Sequence, residues 1–169
     1  MALLACLADV LKRERMPYTL VRHPPAYTAQ ELAAVSHVRG ECEAKVVICF
    51  ADDQPVQAIV PAHYRVDLER LRELAGAVIL RLAREEEIAG LYPDFEVGAA
   101  PPFGTLYGHR VFIDRCFVGE PEMVFSAGTH TVSLCMHYFD VAELVKPVVG
   151  TFGIRPGQVS TAPPPVVGV

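Results

Sequence analysis

No stretch of the sequence approaches the ~18 consecutive apolar residues of a membrane-spanning helix, although its mean hydropathy of +0.28 is high. Basic charge is not in excess: 15 Lys and Arg stand against 20 Asp and Glu, a net charge of −5 with a pI near 5.6. That balance argues against an extended nucleic-acid groove and against DNA as a partner, but permits contact with a few phosphates at one end of an RNA. Paired cysteines are missing too. Cys6, Cys42, Cys49, Cys116 and Cys135 are odd in number and never spaced C-x-x-C. Reduced thiols packed as small hydrophobes are therefore expected, in place of a disulfide framework or a structural zinc site. No repeat with a period of roughly 20–50 residues is present. The opening stretch MALLACLADVLKRERM carries its basic residues after its apolar run, the reverse of a secretory signal, so a cytoplasmic location is expected.

What is present is 169 residues, enough for one well-buried core and one domain. Leu3, Cys6, Leu7, Val10 and Leu11 share a helical face over 2–15. A strand follows over 18–23, and Thr28 with Glu31 forms a capping box for a helix running to about Val38, with Gly40 as its stop. AKVVICF (44–50) and VQAIVPA (56–62) read as a hairpin. Asp67 caps a short helix ending at Gly76. A strand is expected over 77–83, a helix over 84–91, and strands near 110–117, 122–127 and 131–138. Asp140 is expected to open a last helix closed by Lys146-Pro147. Regular βαβ alternation is absent, so the fold class is α+β, with a mixed, largely antiparallel sheet flanked by helices. The domain spans 1–154, and the Pro-rich segment 155–169 is expected to be an extended or mobile tail.

Three features bear on chemistry. Lys45 shares a strand face with Val47 and Cys49, where alternation calls for an apolar residue. Such a lysine either snorkels to water or presents a fixed cation to a phosphate or a developing oxyanion. The segment Gly98-Ala99-Ala100-Pro101-Pro102-Phe103-Gly104 is stiffened by proline and has side chains small enough to expose backbone N–H donors. It lacks the Gly-Lys-Ser/Thr ending of a phosphate loop. In the turn Ser126-Ala127-Gly128-Thr129-His130, His130 is placed to donate to a substrate, while the absence of a G-x-S-x-G elbow weakens a Ser126–His130 nucleophile reading. His23, His37, His63, His109 and His137 have no second ligand at metal spacing, so no metal and no cofactor are expected.

Together these segments resemble the YbaK / prolyl-tRNA-synthetase-associated editing domain family, whose members deacylate aminoacyl-tRNA in trans. The likeness runs from about Leu20 to about Phe152. It is carried by His23-Pro24-Pro25-Ala26-Tyr27-Thr28, Ala44-Lys45-Val46-Val47, Val60-Pro61-Ala62 with Val66-Asp67-Leu68, the loop from Gly98 to Gly104, Phe125-Ser126-Ala127-Gly128 and the Asp140 helix. The family's strand lysine and G-x-x-x-P loop fall on Lys45 and on Gly98 with Pro102. The resemblance implies hydrolysis of the ester joining a wrong amino acid to the terminal adenosine of a tRNA, usually tRNA for proline. It implies a catalytic set of Lys45, Gly98 and Pro102, with substrate contacts from Val21, Thr28, Val46, Ala99, Ala100, Ser126, Gly128 and His130. The lysine would hold the terminal phosphate or ribose, loop amides would grip the aminoacyl group, and a water or the ribose hydroxyl would supply the chemistry. The implied partners are the tRNA acceptor end and an aminoacyl-tRNA synthetase. Val46 replaces a residue that is polar in several members, and Val21 one that is aromatic in some. Alanine, cysteine, serine and threonine esters therefore all stay open as substrates. A non-catalytic aminoacyl-tRNA or synthetase-binding module, and a hydrolase of other amino-acid esters, are the competing readings.

Overall fold

The computed structural model describes residues 2–36 and 42–160. Helix α1 (Ala2–Arg13) buries Leu7 and Leu11, one turn apart, and ends on Lys12 and Arg13, which complement the negative end of its dipole. The side chains of Leu3 and Cys6 lie outside the described residues. Strand β1 (Thr19–Arg22) leads to α2 (Ala29–Ser36) through the expected capping box. Thr28 Oγ1 accepts from Glu31 N at 3.1 Å, and Glu31 Oε2 accepts from Thr28 N at 3.2 Å and Tyr27 N at 2.8 Å. The expected extension to Val38 and the stop at Gly40 also fall outside the described residues.

Strands β2 (Ala44–Ala51) and β3 (Gln54–Pro61) form the hairpin, pairing Ala51 with Gln54. Its two-residue turn, Asp52-Asp53, has φ of +47° and +65°, the left-handed pair that matches strand twist. Asp52 also accepts hydrogen bonds from Val78 N and Ile79 N. With Asp52 N donating to Ile79 O at 2.9 Å, those bonds tie 78–79 to the hairpin turn where β2 ends, so the strand expected over 77–83 shortens to β5 (Leu80–Leu82). Between lie β4 (Arg65–Val66) and α3 (Leu68–Ala75), capped by Asp67 and closed by Gly76 at φ +68°. Helix α4 (Glu85–Leu91) follows β5.

Strand β6 (Arg110–Asp114) stops short of 117 because Asp114 accepts from Cys116 N and folds 115–117 into a single 3-10 turn. Then come β7 (Met123–Thr129), β8 (Val132–Met136) and α5 (Tyr138–Val145). Asp140 does not open α5: His137 is the N-cap, its Nδ1 accepting from Phe139 N at 3.2 Å, and Asp140 sits in the first turn. Two strands the sequence pattern did not mark, β9 (Val148–Gly150) and β10 (Gly153–Ile154), close the chain.

The order β5-β2-β3-β6-β9 makes a mixed sheet, antiparallel on the β2 side and parallel where β6 and β9 join. A second, antiparallel sheet runs β1-β8-β7, and β4 pairs with β10. The two larger sheets meet where Glu43 bridges Val124, with Val124 N donating to Cys42 O at 2.9 Å. The α+β class with mostly antiparallel pairing stands. Alternation along β3 sets the layers: Ile59 joins a core with Leu11, Phe103, Phe125 and Val141, while Val56, Ala58 and Val60 pack with Leu71, Phe112 and Phe152 under α3. Among the described residues, no helix is long and apolar enough to cross a membrane.

Candidate active site

At the seam between the two sheets, residues 44–47 of β2 have no ladder partner on the edge opposite β3, because β5 pairs only from Cys49 onward. Glu43 O accepts from Ala62 N on the β3 side, whereas Cys42 O and Ile48 O accept from Val124 N and Ala83 N on the other. Alternation therefore turns the peptide N–H and C=O of Val46 to the open edge. A cavity of about 430 Å³ fills this gap. Its walls are β2 from Ala44 to Ile48, the segment 26–28 with Leu32 of α2, Leu82, Ala83 and Ile88, the loop residues Gly98 and Ala100, and Ser126 of β7.

Lys45 lines this cavity, and its half-buried Nζ donates to the carbonyl oxygen of Tyr64. Burial pushes its pKa below the ordinary lysine value. Tyr64 is held in turn, since its hydroxyl accepts from Arg155 Nε at 2.6 Å. The ammonium is thus aimed by a backbone acceptor and keeps N–H donors to spare.

The glycine-proline loop is fixed from three sides. Gly98 has φ +85°, where a side chain would be strained. Ala99 is fully buried; its N–H donates to Glu96 O at 3.0 Å and its carbonyl accepts from Gly128 N at 2.9 Å, so Ala99 tethers the loop and Gly98 and Ala100 face the cavity. Gly128, at φ +95°, lies in a register shift of β7 and also accepts from Glu96 N at 2.9 Å. Pro102 is buried and is not among the residues lining the cavity. The sequence reading missed the third hold, Gln57. Fully buried on β3, it donates through Nε2 to Pro101 O at 3.2 Å and Tyr92 Oη at 3.3 Å, and its Oε1 accepts from Gly104 N at 2.9 Å. A Cβ on Gly104 would stand 2.8 Å from the Gln57 side chain, so only glycine fits there. The signal was available: Gln57 interrupts an apolar strand, as Lys45 does.

His130 is placed otherwise than as a substrate donor. Its Nδ1 lies 3.1 Å from Ala26 O and its Nε2 3.0 Å from Val97 O, so the ring sits between two backbone carbonyls and its neutral form donates to one of them. Its own N–H donates to Glu96 Oε2 at 2.6 Å. Thr28, Val46, Ala100 and Ser126 line the cavity with Lys45 and Gly98. Val21, half-exposed on β1 opposite Ser133, is not among the lining residues, nor is the buried Pro102, nor are Ala99, Gly128 and His130, whose hydrogen bonds hold the loop. Among the described residues, no group of three His, Cys, Asp or Glu is placed to hold a metal ion.

The family model described as an aminoacyl-tRNA editing domain matches residues 23–144, which hold every cavity residue just described. The chain belongs to the aminoacyl-tRNA editing domain family. Among curated proteins, this editing domain is 31% identical over 104 residues to a proline–tRNA ligase of Nitratidesulfovibrio vulgaris. That match takes in 62% of the chain and 18% of the ligase, so the chain spans less than a fifth of that relative's length. It is 25% identical over 146 residues to the prolyl-tRNA editing protein ProX of Acetoanaerobium sticklandii, covering 82% of this chain and 87% of that protein. Two solved structures share the fold. One is the hypothetical protein APE2540, with a TM-score of 0.80 and 22% identity over 87% of this chain and 98% of that one. The other is described as a candidate trans-editing enzyme for prolyl tRNA synthetase, with a TM-score of 0.72 and 24% identity over 80% of this chain and 85% of that one.

Proposed function

We propose that this editing domain hydrolyses, in trans and in the cytoplasm, the ester joining a small wrong amino acid to the 3′-terminal adenosine of tRNA for proline. The observation that carries the reading is the meeting of Lys45 with Gly98 and Ala100 in one cavity at an open strand edge. Family membership and the likeness to the prolyl-tRNA editing protein support it. Lys45, aimed by the Tyr64 carbonyl, holds the terminal phosphate or ribose. Gly98, Ala100 and the edge peptide of Val46 surround the aminoacyl group, and the stiff loop positions its donors before substrate arrives. A water adds to the ester carbonyl and the bond to O3′ breaks. O3′ then takes the proton that the water gives up, directly or by way of the neighbouring 2′-hydroxyl. The catalytic unit runs to residue 154, with 155–169 as a tail whose first residue, Arg155, reaches back to the Tyr64 hydroxyl, and its partners are the tRNA acceptor end and a synthetase that supplies the mischarged tRNA.

The test is hydrolysis of tRNA for proline charged with alanine, cysteine, serine or threonine, with prolyl-tRNA as control, by wild type and Lys45→Ala. Wild type releases one or more wrong amino acids and spares proline, and Lys45→Ala, still folded by circular dichroism, releases none. Tight tRNA binding without release by wild type would move the protein to the class of binding modules, and an active Lys45→Ala would remove the role given to the lysine.

A further inference from the structure

We infer that Tyr27 is the platform on which the terminal nucleobase of the substrate stacks, an assignment that rests on the deacylase reading above. Tyr27 lines the cavity yet leaves 68% of its surface exposed, although its backbone is fixed. The backbone is fixed on every side. Tyr27 N donates to Glu31 Oε2 at 2.8 Å, Ala26 N donates to His130 O at 2.9 Å, and Ala26 O faces His130 Nδ1 at 3.1 Å. The ring leans on the His130 imidazole, with centroids 4.8 Å apart and planes at 44°, which steadies it without covering it. Folding has therefore immobilised an apolar, π-rich surface at the cavity mouth without burying it.

The covalent order of the substrate says what meets that surface. An aminoacyl-tRNA enters a cavity of about 430 Å³ by its amino-acid end, so the acceptor strand must leave through the mouth. The first base outside the ester is that of the terminal nucleotide, attached to the very ribose that carries the amino acid. Leu82, 51% exposed and lining the same cavity, adds a second apolar surface at the mouth. Single-stranded ends are characteristically held by stacking unpaired bases on such rings, worth about 5- to 150-fold in affinity per base. A ring in this position also sets depth: with the base stacked, the ester stops at Lys45 and the loop instead of sliding past them.

The experiment compares two unacylated acceptor-stem RNA microhelices of tRNA for proline, one ending in CCA and one ending in CC. Binding is followed by fluorescence anisotropy with wild type, Tyr27→Phe and Tyr27→Ala. Wild type and Tyr27→Phe favour the CCA end by about fivefold or more, while Tyr27→Ala binds both ends alike. With mischarged full-length tRNA, Tyr27→Ala raises KM by a similar factor and changes kcat much less. An unchanged CCA preference in Tyr27→Ala, or no preference in wild type, overturns the platform. Hydrolysis by wild type alongside either result would mean that only the platform has failed. Loss of the preference in Tyr27→Ala without ester cleavage by wild type would keep the platform and overturn the deacylase.

Discussion

Lys45 leaves the alternation of β2 on the side of Val47 and Cys49, and its ammonium meets the Tyr64 carbonyl as it emerges. Burial lowers its pKa below the unfolded value of about 10.4. Between the folded and unfolded values the unfolded chain binds more protons, so this residue makes stability rise with pH through that window. Activity runs the other way, because the useful cation is lost at a lower pH than an ordinary lysine would lose it. Deacylation, corrected for spontaneous ester loss, is expected to decline on the alkaline side at a lower pH than an ordinary lysine would impose, as initial rates measured over an alkaline pH series would show. Lys45→Arg, slower but permanently charged, should flatten that limb; an identical limb would assign it to another group. Gln57→Leu keeps the volume but strands Pro101 O and Gly104 N in the core. It should cost about 2–3 kcal/mol in denaturant unfolding and raise KM. Of these residues Lys45 was legible, because a charge in an apolar strand demands a reason. Gln57 carried the same signal more quietly. Tyr64 gave none, since its contribution to the lysine is a backbone carbonyl, and His130 was legible as a polar group near the site but not as a ring set between two backbone carbonyls.

At the scale of elements, the loop from Glu96 to Gly104 is held by β7, β3 and the His130 ring, and where it faces the cavity it takes a backbone shape that glycine alone adopts without strain. Gly98→Ala has room for its methyl group, 3.6 Å from His130 Cε1, but must adopt φ +85°. Its expected cost is about 1–2 kcal/mol in thermal or denaturant unfolding, with a larger relative fall in kcat/KM than in stability. Equal activity at lowered stability would mean that the loop shape serves folding alone. Elements with local signatures were read well: the α2 capping box, the β2–β3 hairpin and the Asp67–Gly76 helix each carry a signal in sequence, although the hairpin turns on Asp52-Asp53 alone, with Gln54 and Pro55 drawn into β3. The start of α5 was misplaced because His137, an uncommon cap, outcompeted Asp140. Strand β5 shrank because its partner β2 turns away at Asp52, whose carboxylate takes the amides of Val78 and Ile79, which no local pattern records.

Across the whole molecule, the C-terminal strands fasten the far side of the sheet. Phe152 is fully buried beneath α3, its N–H and that of Gly153 donate to Asp114 Oδ2 at 2.9 and 2.7 Å, and Asp67 N donates to Phe152 O at 2.7 Å. Phe152→Ala should therefore cost about 3–5 kcal/mol in chemical denaturation. A smaller loss than that of an exposed-site control would show this corner able to collapse. Segments of two and three residues are too short to display an alternation, so β9 and β10 were invisible in the sequence although the α+β class was not. The open edge of β2 has its own dynamic signature. Lys45 and Val47 point their amides into the ladder with β3, while Val46 between them points its amide into the cavity. In hydrogen–deuterium exchange, Val46 should lose its proton well before either neighbour, in the middle of an otherwise protected strand, and should slow when a non-hydrolysable aminoacyl-adenosine is bound. One amide proton would then report, without any label, whether the cleft is occupied.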